Sequence, residues 1–226
     1  MLKKVFNDLL VSFIASVSGS TGRKLRYRYY KNKFKYCGTN VCIDKGVIIS
    51  NPQMISVGNN VWIDCYSILT AGKALTDKSY VKRIENKNFL YSEGELIIGN
   101  GVHIGSFNVL QAHSGVLIGD YVTTSSGVKI YSLSNYPTDE NNPFVVTYAN
   151  SLVGEDKKVA YISSPIVIKD GVWLALNCIV LGGTIGKNSF IRSGSIVLKD
   201  INENSYAGGT PAVKLRDRFK TEGNDE

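Results

Sequence analysis

The chain has 226 residues and a formal net charge of +7. That length suits a single elongated domain, and no apolar run reaches the roughly 18–20 residues needed to cross a bilayer. The four cysteines include no Cys-x-x-Cys pair, so we interpret them as reduced packing residues of a cytoplasmic protein.

Positive charge is concentrated at the start of the chain. Residues 1–40 hold nine lysines and arginines and a single acid, Asp8, which gives them a net charge of +8. An amphipathic stretch opens this segment, and its apolar residues fall roughly on one side: Leu2, Val5, Phe6, Leu9, Leu10, Phe13 and Ile14. The segment GRKLRYRYYKNKFKY follows, in which cations alternate with tyrosine and phenylalanine.

Three interpretations of residues 1–40 remain open. A helical cap over the end of a repeat structure is favoured. Peripheral attachment to an anionic membrane is the second, and nucleic-acid binding is the weakest because no recognised module accompanies the charge. The stretch Met1–Ser20 is superficially like a signal peptide, but Asp8 interrupts it and no Ala-x-Ala site follows. We therefore expect a cytoplasmic protein, with membrane association on the inner face as a possible addition.

A six-residue period runs from about Val57 to Val197. We call the residue that opens each hexad its head residue, and all but one of the heads are aliphatic. The heads are Val57, Ile63, Leu69, Ile98, Ile104, Leu110, Ile118, Thr124, Ile130, Ile168, Leu174, Val180, Ile185, Ile191 and Val197. A fixed period of six matches neither a helix nor a simple strand, and it predicts short strands joined by tight turns into a coil. Weaker hexads at Ile43 and Ile49 predict one further coil before Val57.

The insertions that interrupt the six-residue period occur at regular places. The heads fall into triplets, and insertions occur only between triplets: long ones after Leu69 and after Ile130, and two residues after Leu110. Each triplet would form one three-sided coil, so every insertion stacks along one edge. Insertions that collect on one face of a repeat protein usually mark its binding face.

The repeats resemble those of the hexapeptide-repeat acyltransferases, in particular sugar O-acetyltransferases of bacterial surface-polysaccharide synthesis. The resemblance rests on SVGNNVWIDCYSIL, LIIGNGVHIGSFNVL, VLIGDYVTTSSGVKIYS, the stretch from IVIKDGVW to SGSIVLKDI, and AGGTPAVKLRDR. It implies an all-β, left-handed parallel β-helix, although strand twist alone would favour a right-handed connection. We expect a basic N-terminal segment (1–40), the β-helix (41–200) with external loops at about 71–95 and 133–165, and a C-terminal extension (201–226).

The resemblance also implies a homotrimer that transfers an acetyl group from acetyl-CoA to a sugar, without a metal or nucleic acid. The acceptor could be a nucleotide sugar or a polysaccharide. Two histidines cannot supply the three-histidine zinc site of a carbonic anhydrase family with the same fold. N-acetylation of a nucleotide-linked amino sugar and an inactive scaffold remain as alternatives.

Acyl transfer to a hydroxyl needs a base, and histidine suits that role. His113 lies within the two-residue insertion, on the irregular edge, whereas His103 lies on a regular face where a side chain is usually only solvated. His113 is therefore the favoured base. The alternatives are that His103 is the base, or that neither histidine is.

The long loop after Ile130 is the predicted acceptor site. It reads IYSLSNYPTDENNP, with Asn135 at a position where many relatives carry a histidine, which leaves open an altered or lost activity. The predicted acceptor contacts are polar or aromatic side chains, as suits a sugar: Ser134, Asn135, Tyr136 and Asp139. A solvated loop tip is an equal alternative for the acidic pair of Asp139 and Glu140.

The resemblance places the acetyl-CoA site on the later coils. Small residues and one tryptophan would lie near the pantetheine arm: Trp173, Ala175, Gly182, Gly183, Ser193 and Gly194. Pro211 and Ala212 would lie near the nucleotide. Lys199, Lys214 and Arg216 are the candidates for its phosphates, since cations compensate phosphate charge.

Overall fold

The computed structural model describes residues 2–73, 80–135, 138, 142, 144 and 160–219. Two helices come first, α1 (Leu2–Ser16) and α2 (Gly19–Lys31), and a 3-10 turn spans Pro52–Met54. Strands make up most of the remainder. In chain order they are β1 (Tyr36–Cys37), β2 (Cys42–Ile43), β3 (Ile48–Ser50), β4 (Ile55–Val57), β5 (Trp62–Ile63), β6 (Ile68–Thr70), β7 (Tyr80–Arg83), β8 (Leu96–Ile98), β9 (His103–Ile104), β10 (Val109–Gln111), β11 (Val116–Ile118), β12 (Thr123–Thr124), β13 (Lys129–Tyr131), β14 (Leu133–Asn135), β15 (Ala160–Ser163), β16 (Ile166–Ile168), β17 (Trp173–Leu174), β18 (Ile179–Val180), β19 (Gly183–Ile185), β20 (Phe190–Ile191), β21 (Ile196–Val197), β22 (Ser205–Gly209) and β23 (Ala212–Asp217).

Three parallel sheets organise these strands. Sheet A contains β1, β4, β8, β11, β16 and β19; sheet B contains β2, β5, β9, β12, β17, β20, β22 and β23; sheet C contains β3, β6, β10, β13, β18 and β21. Successive strands of the repeat enter sheets A, B and C in turn. All pairings in the three sheets are parallel except that of β22 with β23. The architecture is therefore rich in strands with few helices, as the sequence predicts.

The head residues form the core between the sheets. All fifteen of them are buried, with at most 2% of their surface exposed, and Ile43 of the earlier coil is fully buried as well. The strands β2 and β3 pair with β5 and β6, which confirms the additional coil before Val57. Cys178 lies in the same core, and burial raises the pKa of its thiol, as suits an unreactive packing residue. All four cysteines are free thiols.

Tight turns connect sheet A to sheet B at what we call the A–B corner. The last residue of each turn has a positive φ, a conformation that Gly and Asn adopt most readily. These residues are Asn40, Asn60, Gly101, Tyr121, Gly171, Asn188 and Asn204. The side chains one position earlier form a ladder, in which Asn100 Oδ1 accepts the Asn59 N–H at 2.9 Å and Asp120 Oδ1 accepts the Asn100 N–H at 2.7 Å. This ladder explains the recurring Asn and Asp before the turn residue.

The insertions lie between sheets C and A. We call this edge the C–A corner; it comprises the connections 51–54, 71–95, 112–115, 132–165, 181–182 and 198–200. The two long connections also pair with each other, since β7 and β14 both join β15 in a three-stranded sheet. The prediction that all the irregularity stacks on one edge is confirmed. The B–C corner, between sheets B and C, has connections of regular length.

The helices pack against the first coil. Tyr30 and Phe34 belong to the core cluster, and burial raises the pKa of Tyr30 to about 12. Arg26 is buried and donates hydrogen bonds to the carbonyl oxygens of Ile43, Ile14 and Val17, each at 2.7 Å. One guanidinium therefore ties α1 and α2 to β2, as a cap requires. None of the described helices combines the length and apolar character needed to cross a bilayer.

Candidate active site

His113 lies at the C–A corner, in the turn between β10 and β11, and it is half-buried. Its Nδ1 atom is 2.6 Å from the carbonyl oxygen of Gly72, which lies on the preceding coil. A carbonyl oxygen can only accept, so we assign the proton of the neutral ring to Nδ1. The Nε2 atom then carries the lone pair, which is the arrangement that a general base needs.

His103 lies elsewhere. It occupies β9 on the outer face of sheet B, in register between Trp62 and Thr123. Its Nε2 atom is 3.0 Å from Asp64 Oδ2, and half of its side chain is exposed. The sequence predicted a side chain that is merely solvated. The structure shows instead an exposed imidazole with a carboxylate partner, on a different face from His113.

The turn that carries His113 is tightly covered. The ring of Phe89 lies so close to Gly115 that a Cβ atom there would be 2.2 Å from Phe89 Cζ, and Gly115 has a φ of +109°. Only glycine fits both constraints. The N–H groups of Ser114 and Gly115 donate to Ser132 Oγ and to the Ala112 carbonyl oxygen, both at 2.9 Å. The turn therefore does not itself offer these two N–H groups to an oxyanion.

Two of the predicted acceptor residues share the corner with His113. Ser134 and Asn135 lie in β14, directly after Leu133. The side-chain amide of Gln111 donates to the Leu133 carbonyl oxygen and accepts the Leu133 N–H, both at 3.0 Å. Because Gln111 is two residues before His113, this pair of hydrogen bonds holds the start of the loop beside the turn that carries His113. The other two predicted contacts, Tyr136 and Asp139, lie outside the described residues, as does Glu140.

The insertion 71–95 reaches along the corner to the later coils. Asn88 Nδ2 donates to Thr184 Oγ1 at 3.0 Å, and Thr184 Oγ1 donates to Asn86 Oδ1 at 3.1 Å. Asn86 Nδ2 also donates to the Pro165 carbonyl oxygen at 3.0 Å. The sequence did not single out Asn86 or Asn88, since an Asn in a loop is too common to carry a signal of its own.

Two neighbouring cavities open at the far end of this corner. The first has a volume of about 620 Å³ and lies between residues 84–88 and the group of Gly183, Leu198, Lys199 and Asp200. The second has about 540 Å³ and is lined by residues 198–201 and 211–214. Gly183 is two strand spacings beyond the His113 turn, or about 10 Å along the stack.

Six of the predicted donor-site residues lie at or beside these cavities. Lys199 lines both cavities, Gly183 lines the first, and Pro211, Ala212 and Lys214 line the second. Gly182 precedes Gly183, and a Cβ there would be 2.3 Å from Ser164 Oγ. Lys199 forms no ion pair with any described residue, whereas Lys214 Nζ is 2.5 Å from Asp217 Oδ1.

The remaining five lie on other parts of the chain. Trp173 is on the outer face of sheet B, where Phe190 and Tyr206 continue its aromatic row. The Arg216 guanidinium lies 4.1 Å from the centre of the Tyr206 ring. Ala175, Ser193 and Gly194 are at the B–C corner. Within one chain, the structure therefore does not bring these five residues to the cavities.

No protein-family model matches the chain. In sequence it is similar to a dTDP-4-amino-4,6-dideoxy-D-glucose acyltransferase of Escherichia coli, with 28% identity over 183 residues that cover 80% of this chain and 72% of that protein. It is also similar to the galactoside O-acetyltransferase of Escherichia coli K12, with 32% identity over 126 residues that cover 53% of this chain and 55% of that enzyme. In fold it is similar to a hexapeptide-repeat containing acetyltransferase of Vibrio cholerae complexed with acetyl-CoA, with a TM-score of 0.51, 20% identity, and coverage of 94% of this chain and 85% of that one.

The sequence matches to named acyltransferases agree with the six-residue repeat and with the fold. The chain is an acyltransferase with a six-residue repeat. The acyltransferase is also similar in fold to a variant of AntD, an N-acyltransferase from Bacillus cereus in complex with dTDP and coenzyme A. That match has a TM-score of 0.65 and 21% identity, and it covers 90% of this chain and 92% of AntD. Among the described residues of the acyltransferase, no group of three His, Cys, Asp or Glu side chains could hold a metal ion.

Proposed function

We propose that the acyltransferase is a left-handed parallel β-helix that transfers an acetyl group from acetyl-CoA to a sugar hydroxyl, with His113 as the general base. The observation that carries this proposal is the hydrogen bond from His113 Nδ1 to the Gly72 carbonyl oxygen. It fixes the tautomer and leaves Nε2 to accept a proton, at the corner where the insertions form cavities. The left hand of the coil rests on the resemblance to the family and on the related folds.

The chemistry at His113 is a proton transfer coupled to acyl exchange. As the acceptor oxygen bonds to the thioester carbonyl carbon, its proton moves to Nε2. The carbon–sulfur bond then breaks, and the imidazolium can return the proton to the departing sulfur. The Gly72 carbonyl oxygen accepts the hydrogen bond from Nδ1–H throughout, so it also stabilises the imidazolium that forms between the two transfers.

The donor would lie in the two cavities. Lys199 is the cation best placed for a phosphate group, because it lines both cavities and has no partner among the described residues. The apolar wall from Pro211 to Val213 suits the less polar parts of the donor. Gly183 has a φ of +79°, and a Cβ there would be 2.7 Å from the Lys199 carbonyl carbon, so glycine is needed for β19 to pack against the Lys199 turn that lines both cavities.

A homotrimer would explain three of the five donor-site residues that lie away from the cavities. A threefold arrangement that sets the B–C corner of one subunit against the C–A corner of the next would bring Ala175, Ser193 and Gly194 to the donor. The exposed Trp173 and the half-buried Phe190 and Tyr206 that continue its row would be covered in the same contact. A contact of this kind is heterologous, and three subunits related by a threefold axis close it into a ring.

A second acceptor class is supported by the comparisons. One relative, which matches 80% of this chain, is a dTDP-4-amino-4,6-dideoxy-D-glucose acyltransferase, and AntD is an N-acyltransferase. Transfer to the amine of a nucleotide-linked amino sugar is therefore the alternative. An amine attacks without prior removal of a proton, so His113 would contribute less to that reaction.

Thiol release from acetyl-CoA tests both acceptor classes in one design. We would offer dTDP-4-amino-4,6-dideoxy-D-glucose and its 4-hydroxy counterpart side by side, together with a panel of polysaccharides. The proposal expects release with hydroxyl acceptors. Thiol release with the amino sugar alone would favour N-acylation. Binding of acetyl-CoA without thiol release for any acceptor would favour an inactive scaffold.

A further inference from the structure

Helix α1 presents an apolar face that no described residue covers. Val5, Phe6, Leu9 and Phe13 are 51%, 69%, 66% and 62% exposed, and Leu10 is 37% exposed. At 3.6 residues per turn these five side chains fall within an arc of about 140°. Exposure of two phenylalanines and three aliphatic side chains on one helix face is unusual for a surface that meets only water.

The packing of α1 on the rest of the protein uses its other side. Ile14 is buried, and Asn7 Oδ1 accepts a hydrogen bond from the Tyr29 hydroxyl at 2.9 Å. The Ala15 carbonyl oxygen accepts the Gly46 N–H at 2.9 Å. The sequence placed Ile14 on the same side as Phe6 and Leu9, and the structure corrects this. The helix is apolar on two sides, and only one of them is needed for the cap.

Cations lie beside the N-terminal end of α1. The contacts of Asn7 with Tyr29 and of Ile14 with Arg26 show that α1 and α2 run antiparallel. The first turn of α1 therefore lies near the last turn of α2, which contains Arg28 and Lys31. Lys33 joins them, with its Nζ atom 3.4 Å from Asn7 Oδ1.

Three cations of α2 have no ion-pair partner among the described residues. Arg23 and Lys35 pair with Asp44 and Glu95, whereas Lys24, Arg28 and Lys31 form no ion pair with any described residue. Residues 1–40 contain one acid against nine cations. An apolar helix face together with unpaired cations on the adjacent helix is the combination by which amphipathic segments bind anionic lipid.

We propose that α1 docks on an anionic membrane surface. Phe6, Leu9 and Phe13 enter the boundary between headgroups and acyl chains, while the cations face lipid phosphates. The helix hairpin contacts the first coil, beside β2, whereas the two cavities lie at the later coils. Docking through α1 therefore leaves the cavities in contact with water, and it does not depend on the reaction proposed above.

A second copy of the chain is a poorer occupant of this face. Two hairpins paired through α1 would place their unneutralised cations close together, and like charges repel. Nucleic acid would satisfy the cations but would leave the phenylalanines exposed. Anionic lipid is the partner that satisfies both features.

Flotation of the full chain with vesicles tests the proposal. One vesicle preparation contains phosphatidylcholine alone and the other an equal mixture of phosphatidylcholine and phosphatidylglycerol. We expect flotation with the anionic vesicles, at least about tenfold weaker binding to the neutral ones, and a loss of binding as salt is raised. The double substitution Phe6→Ser, Phe13→Ser should abolish flotation without changing the thermal unfolding midpoint by more than a few degrees.

Tyr121→Asn supplies the matched control. Tyr121 is 72% exposed at the A–B corner and has a φ of 56°, which Asn tolerates. This variant should float like the wild type. Equal flotation of the Phe6, Phe13 variant and the wild type would overturn the proposal, as would an absence of flotation by the wild type. Dissociation of an oligomer by the same double substitution, in sedimentation without vesicles, would assign the face to a subunit contact instead.

Discussion

Thr124 is the one head residue without an aliphatic side chain, and Asn108 explains it. Both residues are fully buried, and Asn108 Nδ2 donates to Thr124 Oγ1 at 2.6 Å. The same Asn108 accepts the Val128 N–H through Oδ1 at 2.7 Å. The threonine hydroxyl therefore completes a buried polar network, which favours a unique arrangement only when every member is satisfied.

Thr124→Val restores the repeat pattern but leaves the Asn108 amide without its short hydrogen bond. We expect a loss of about 1–3 kcal/mol in the free energy of unfolding, because an unsatisfied buried donor costs that much. Denaturant unfolding measures it. Thr124→Ser retains the hydroxyl and loses one methyl group, at about 0.8 kcal/mol. A valine variant more stable than the wild type would show that the repeat pattern, and not the network, governs this site.

The repeat strands were predictable because each hexad carries its own signal. An aliphatic head at every sixth residue, with Gly or Asn in the turn, determines where a short strand begins and ends. The three-stranded sheet of β7, β14 and β15 was not predictable. It forms between two insertions that are distant in sequence and have no period, so only tertiary contacts specify its pairing. For the same reason the Asn86 and Asn88 contacts with Thr184 could not be read from the chain.

The candidate site could likewise be predicted only in part from the sequence. His113 could be singled out because an insertion of two residues set it on the irregular edge and the chain has only two histidines. The hydrogen bond to the Gly72 carbonyl oxygen could not be foreseen, since Gly72 is 41 residues away. The sequence also gave no sign that His103 pairs with Asp64, because their contact depends on the register between adjacent coils.

The helical cap is linked to the first coil by a pair of charges that makes stability depend on pH. Burial alone would raise the pKa of Asp44, but hydrogen bonds from Arg23 and Trp62 outweigh it, so the pKa lies below its usual value. A carboxyl group whose folded-state pKa is lowered stabilises the fold above its unfolded pKa of about 3.9. That contribution is lost as the pH falls through the folded-state pKa.

Asp44→Asn should therefore show a shallower loss of stability below about pH 4 than the wild type. Unfolding midpoints measured from neutral pH into this range would reveal the difference. Arg23→Gln should remove most of the same dependence, since Arg23 donates to Asp44 at 2.5 Å. If the unfolding midpoints of the wild type and of Asp44→Asn fall in parallel as the pH is lowered, this pH dependence does not come from the Asp44 pair.

For the whole molecule, the proposed trimer predicts a site that one subunit cannot form alone. His113 lies at the C–A corner and Ser193 at the B–C corner, so a site that uses both must combine two subunits. Ser193 is exposed, and Ser193→Trp should block the donor without disturbing the core. We expect both His113→Ala and Ser193→Trp to be nearly inactive when each is expressed alone.

Mixed trimers provide the measurement. In random mixtures of equal amounts of the two variants, about a quarter of the interfaces would join an intact C–A corner to an intact B–C corner. Thiol release should recover to about that fraction of the wild-type rate. Mixing of preformed trimers, without exchange of subunits, is the control and should recover nothing. Two results would contradict a site shared between subunits. One is sedimentation of the wild type as a monomer, and the other is no recovery of thiol release after subunit exchange has been demonstrated.

Single-turnover release of the thiol from acetyl-CoA, with a hydroxyl acceptor, tests the proposed catalytic role of His113 most directly. We predict that His113→Ala lowers the rate by roughly 10²–10⁴-fold, as expected for the loss of a general base. The fold and the affinity for acetyl-CoA should stay nearly unchanged, because the side chain is only half-buried. His103→Ala, which removes the partner of Asp64 on another face, should cost less than about tenfold. A nearly wild-type rate for His113→Ala beside an inactive His103→Ala would contradict this account.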